Sequence, residues 1–172
     1  MEMTEIADAM NEFMTSGKAE QLNNIFKDKN LPDQYKKLLK IITEFSDKIR
    51  LGVVDSLDST VEKLKQALDD CKSCSVENAD NIGIIILKQF LETIENKLIG
   101  DMQEGPDYLK ITQWCIENGL IQQALTVFNE KMPRYLFNKG YIKVTDEERK
   151  ACIESNTTFD WEYVAMWYHL LS

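Results

Sequence analysis

Between positions 131 and 143 the chain reads Lys131-Met-Pro-Arg134-Tyr135-Leu-Phe137-Asn-Lys139-Gly-Tyr141-Ile-Lys143. Four cations are interleaved with three aromatic rings, and no Asp or Glu interrupts them before Thr145. Cations neutralise a phosphate backbone and aromatic rings stack on unpaired bases, so this composition suits single-stranded RNA. Lys131, Arg134, Tyr135, Lys139 and Lys143 are the RNA-contact candidates. The plainer alternative puts the rings in the core and leaves the lysines solvated. Cys71-Lys-Ser-Cys74 has the spacing of half a zinc site, because two thiolates three positions apart can grip one ion. A closed structural site needs four ligands, and the other cysteines, Cys115 and Cys152, are isolated. An unligated pair is the expectation, with no cofactor. His169 is the sole histidine, and the one weak candidate for proton transfer; the alternative is a boundary histidine with one hydrogen bond. Gly100-Asp-Met-Gln-Glu-Gly105 opens like a phosphate loop, but Pro106 and Asp107 stand where Lys and Ser/Thr belong, so it is a chance match.

These residues need a scaffold, and the composition limits which kind. The chain has 172 residues, 44% of them hydrophobic and 28% charged. Folding at this length buries roughly 70% of the unfolded surface, so one sizeable core is expected. Seven glycines and three prolines are too few turn residues for a many-stranded fold. The expectation is an all-α, multi-helix bundle. The net charge is −9, from 20 basic against 29 acidic residues, which argues against duplex DNA as partner. No purely apolar run exceeds the six residues 163–168, and the aliphatic run 84–87 is shorter still, so neither is long enough to span a bilayer. Glu2 and Glu5 follow Met1 where a signal peptide would carry basic and then apolar residues. A cytoplasmic protein with reduced cysteines is expected.

Apolar side chains at three- and four-residue spacing place the helices. Ile6, Met10, Phe13 and Met14 share one stripe, with Gly17 as a stop. Leu22, Ile25 and Phe26 mark a short second helix. Pro32 is suited to open a third, carrying Tyr35, Leu38, Leu39, Ile42, Phe45 and Ile49. After Gly52, Val54, Leu57, Val61, Leu64 and Leu68 continue, as a second long helix or a kinked extension. The polar segment 70–78 reads as a loop. Residues 79–99 form an apolar helix closed by Gly100. Tyr108, Ile111, Trp114 and Cys115 define the next, ended by Gly119. Residues 120–131 form another, with Leu125 and Phe128 inward, and helix resumes after Pro133. Segment 144–158 reads as a linker or insertion around a short helix, where Thr145 and Glu148 have capping-box spacing. Asp160 can cap a last helix over 161–172, apolar nearly all round through Trp161, Val164, Trp167, Tyr168 and Leu171. Such a helix is normally buried, so a homodimer with this helix at the contact is expected.

The stretch Trp114-Cys-Ile-Glu-Asn-Gly-Leu-Ile-Gln-Gln-Ala-Leu-Thr-Val-Phe-Asn-Glu-Lys-Met-Pro133 resembles a segment in the helical half of CRISPR-associated CARF–HEPN effectors. The likeness is to the Csx-type branch of type III ancillary proteins. Gln122, Gln123, Ala124, Leu125, Thr126, Glu130 and Pro133 carry it. The opening 7–22, with Thr15-Ser-Gly17 and Leu22, is similar to the start of that half. The resemblance implies a HEPN-like domain which, in intact members, follows a CARF domain that binds cyclic oligoadenylate. It also implies a dimeric, metal-independent ribonuclease with an R-x4–6-H motif, whose arginine stabilises phosphate charge and whose histidine moves a proton.

The chain departs from that pattern. Residues 1–172 themselves hold no strand-rich segment of the CARF kind. No histidine follows Arg50, Arg134 or Arg149 at motif spacing: the positions hold Asp55, Ser56 and Leu57; Lys139, Gly140 and Tyr141; Glu154, Ser155 and Asn156. The expectation is a single HEPN-like domain over 1–172, truncated at its C-terminal side and inactive as it stands. The alternative is a non-catalytic helical scaffold or interaction module built of tetratricopeptide-like helix pairs, though no 34-residue period is sustained.

Overall fold

Helix α1 (Glu2–Ser16) forms where the first apolar stripe runs, and Ile6, Met10, Phe13 and Met14 are all buried. The computed structural model describes residues 2–27, 31–74, 82–100 and 105–138. Within them the chain continues as α2 (Glu20–Phe26), α3 (Asp33–Leu51), α4 (Leu57–Lys72), α5 (Ile82–Ile94), α6 (Tyr108–Glu117) and α7 (Ile121–Asn138). A π-helical turn, Glu95–Ile99, extends α5. The described part is an all-α bundle of seven helices, and side chains from all seven share one core. None of these helices is long and apolar enough to cross a membrane.

Of the two arrangements left open around Gly52, a second long helix or a kinked extension, the chain takes the first: α3 and α4 are separate and pack on each other. Gly52 sits at φ 69°, a conformation that costs a side-chain-bearing residue about 1–2 kcal/mol. Its N–H donates to the Ile49 carbonyl at 3.0 Å, and the Val53 N–H to the Lys48 carbonyl at 2.9 Å. This double bond satisfies two orphan carbonyls at the end of α3 and reverses the chain into α4. Every apolar residue that the spacing assigned to these two helices is buried.

Trp114 of α6 is the hub of the core. Its ring lies 5.9 Å from Phe13 and 6.0 Å from Phe45, and Phe13 meets Phe90 edge-on at 5.9 Å. The indole N–H donates to the Met14 carbonyl at 3.2 Å. Burying an indole costs a hydrogen bond to water unless a partner is supplied; the last turn of α1 supplies it. Gly17 closes α1 at φ 70°, and a Cβ there would stand 3.2 Å from Trp114 Cη2. The Gly17 carbonyl accepts from the buried Ser46 hydroxyl of α3. α1, α3 and α6 therefore meet at one point.

Three expectations need correction. Residues 70–72 are not loop: α4 runs to Lys72, because Cys71 continues its buried stripe after Leu64 and Leu68. Leu125 and Phe128 are not inward: they are 57% and 47% exposed, while Ala124, Val127 and Met132 face the core. α7 also does not stop before Pro133 but runs through it. A proline inside a helix removes one backbone bond and costs about 3 kcal/mol. Met132, buried on one side of it, and Tyr135, held by α6 on the other, anchor both halves.

Candidate functional site

Of the five RNA-contact candidates, the structure brings two together. Lys131 and Tyr135 lie four positions apart on α7, hence on one face of it. Lys131 Nζ is 2.6 Å from Asp58 Oδ2, and its side chain is only 13% exposed. The ammonium also stands 5.8 Å from the centre of the Tyr108 ring. The Tyr108 hydroxyl donates to the other oxygen of Asp58. The Tyr135 ring meets Tyr108 edge-on at 6.5 Å, and its hydroxyl reaches Asp107 Oδ1 at 3.5 Å. Asp107 itself caps α6, accepting from the Lys110 N–H at 3.3 Å.

The result is a charged clasp of Asp58, Lys131, Tyr108, Tyr135 and Asp107 where α4, α6 and α7 converge. Asp58 lies in the first turn of α4, where the helix dipole favours a carboxylate. The Lys131 ammonium and the Tyr108 hydroxyl both donate to its carboxylate. Lys131 is thus committed to a carboxylate of its own chain, and a phosphate would have to displace Asp58 to reach it. Arg134 lies on α7 next to these groups in sequence, with its side chain outside the described residues, as are Lys139, Lys143 and His169. Segment 144–158 and the helix expected over 161–172 lie outside them too.

Asp58, Tyr108 and Asp107 were not singled out from the sequence. Asp107 carries a local signal, since it follows Gly105-Pro106 and precedes a periodic apolar run. Asp58 has none that points to Lys131, 73 positions away.

Cys71 and Cys74 are close, but their setting is not that of a reactive pair. Cys71 is fully buried in the last turn of α4 and Cys74 follows the helix, half-buried. Burial pushes the Cys71 thiol up to about 12, with a smaller contribution from Cys74. Reactive and ligating cysteines have the opposite setting, in which nearby positive charge lowers the pKa. Burial also raises the Tyr35 hydroxyl above its usual range, and the neighbouring Cys71 and Cys74 add to this. No group of three or more His, Cys, Asp or Glu able to hold a metal occurs among the described residues.

A second ionic cluster lies at the π-helical turn. Glu95 bonds Lys65 at 3.0 Å and also pairs with Lys72, both on α4. Hydrogen bonds from Lys72 and then Lys65 hold its carboxyl below the usual range. A third joins α3 to α4. Glu44 accepts from Lys48 at 2.8 Å and from the Thr60 hydroxyl at 3.1 Å. The Lys48 bond, ahead of Thr60, lowers its pKa. The Glu95 pairs join α4 to the π-helical turn, whereas the Glu44–Lys48 pair lies within α3 and reaches α4 through Thr60 and through Lys63 at 3.8 Å.

The residues that carry the sequence resemblance also find places. Gln123 donates to the Arg50 carbonyl at 3.2 Å, satisfying a backbone group at the end of α3. Ala124 is buried, while Gln122, Leu125 and Glu130 are exposed. The opening segment and the 114–133 segment meet through Trp114, Met14 and Gly17.

The profile of one protein family, described as CRISPR-associated protein MJ1674, second domain, matches residues 2–100. That is more than half of the chain. No curated protein and no solved structure matches it.

Proposed function

Because the chain belongs to the family of the second domain of CRISPR-associated protein MJ1674, we propose that it is a helical effector domain of CRISPR-associated antiviral defence. In this reading it is HEPN-type, related to cyclic-oligoadenylate-activated ribonucleases, and does not cleave RNA on its own. The family match over residues 2–100 is the observation that carries the defence role. The ribonuclease kinship rests on the 114–133 resemblance, and the seam between that segment and the opening one supports it. In-line attack by an RNA 2′-hydroxyl needs a positioned proton-transfer group and a cation at the phosphate. No arginine stands at motif spacing before His169, and Lys131 is already paired with Asp58. The CARF–HEPN resemblance implies a nucleotide-binding CARF domain beside this one and a dimeric assembly, so a homodimer is part of the proposal. RNA contact falls to Arg134, Lys139 and Lys143, with strong salt dependence.

The test is cleavage of a labelled single-stranded RNA in EDTA, with His169→Ala as the comparison. No cutting by either protein is expected. Robust cutting that the substitution abolishes would make His169 the active-site residue. The pairing of Lys131 and Tyr135 with groups of the same chain favours one second reading, a non-catalytic helical scaffold. RNA binding undetectable even at low salt would select it.

A further inference from the structure

The first half of α7 lacks what a solvated helix normally carries. From Asn118 to Asn129 there is no charged residue, in a chain that is 28% charged. Ile121, Leu125 and Phe128, at four- and three-residue spacing, form a stripe with 52%, 57% and 47% exposure. Ile116, at the end of α6, is 55% exposed. Single exposed apolar residues need no explanation, but an uncharged apolar stripe two turns long marks a contact surface. Along the same stripe Met132 is buried, so the apolar line runs from the core out onto the surface.

One segment of the chain has matching chemistry. Residues 161–171 carry Trp161, Val164, Trp167, Tyr168 and Leu171, with Glu162 as the single formal charge. The 22 residues 139–160 join that segment to the end of α7. Twenty-two residues reach at most about 75 Å when fully extended. The stripe at Leu125 lies about 20 Å back along α7 from Asn138, at 1.5 Å per residue. That distance is well within the tether's reach, and such a linkage places the segment at an effective concentration in the millimolar range. A second copy at micromolar concentration competes poorly with such a neighbour.

We propose that the Ile121–Leu125–Phe128 stripe of α7 is the docking surface for the chain's own segment 161–171. The segment buries Trp167 and its apolar neighbours against α7 and shields the uncharged half of that helix from water. This covering is independent of any ribonuclease kinship, and its test involves no RNA.

The experiment is hydrogen exchange on the full chain, read by peptide mass, with Leu125→Asp and Phe128→Asp as variants. Both side chains are about half exposed, so the bundle tolerates the changes. Amides of 161–171 are expected to exchange slowly in the parent chain and at least tenfold faster in either variant, with α1 to α6 unchanged. The reciprocal variant, Trp167→Ser, should raise hydroxyl-radical labelling of Phe128 several-fold. Three results overturn the proposal: no protection of 161–171 in the parent chain, protection that the α7 variants leave intact, or protection that grows with protein concentration. The last would assign the stripe to a second copy.

Discussion

At its C-terminal end α6 is held by the Trp114 ring, buried among Phe13 and Phe45 and bonded to the Met14 carbonyl. At its N-terminal end it is held by Tyr108 and Asp107, which meet Asp58, Lys131 and Tyr135 in a charged clasp. Both ends join α6 to distant parts of the chain, by opposite means. The apolar end gains from burial and dispersion, which salt and pH barely touch. The charged end gains from ion pairing but loses hydration, so its net contribution is small and depends on conditions. The fold rests on the first end; the second fixes orientation between α4, α6 and α7.

Removing the ring should separate the two ends most widely. Trp114→Ala empties the hub and is expected to cost about 3–5 kcal/mol by urea unfolding, at any salt concentration. A loss below 1 kcal/mol would mean that the hub is not where stability resides. Gly17→Ala tests the same seam from the other side. The positive φ and the 3.2 Å approach to Trp114 predict a loss of about 1–3 kcal/mol, again salt-independent.

Effects at the charged groups should be smaller and should move with conditions. Lys131→Met is expected to cost about 1 kcal/mol at low salt, and less in 0.5 M salt as the parent's ion pair is screened. Equal losses at both ionic strengths would show that the lysine acts through its packed stem instead. Glu95→Gln, at the π-helical turn, should cost about 0.5 kcal/mol at neutral pH. Because the Glu95 pKa is lowered in the folded chain, its contribution is present above the unfolded value. It is lost as pH falls through the folded one. The gap between parent and variant in urea midpoints should therefore close with acidification, and a gap that widens would reverse the assignment.

The helices were legible because their buried positions recur every three to four residues, as in Tyr35 to Ile49, where every assigned residue is buried. α7 was misread for a physical reason. Its first half carries apolar residues on two faces, and periodicity alone does not say which face meets the core. Ala124 and Val127 do, while the larger Leu125 and Phe128 stay outside. Pro133 misled because a local rule was applied to a helix that tertiary contacts hold on both sides. The clasp was half legible: Lys131 and Tyr135 stood out by composition, but their partners come from α4 and the start of α6, and no local pattern joins residues 73 positions apart.

The bond from the Trp114 indole to the Met14 carbonyl spans 100 positions of sequence. During synthesis, at about 5–20 residues per second, α1 leaves the ribosome roughly 5–20 s before the ring that seals it. For that interval Phe13 and Phe45 have no indole to cover them, and the growing chain offers an apolar surface to chaperones. A chain ended at residue 100, where the family match stops, would remain in that condition permanently. Contacts this distant in sequence also slow folding, since loop closure must be paid before they form.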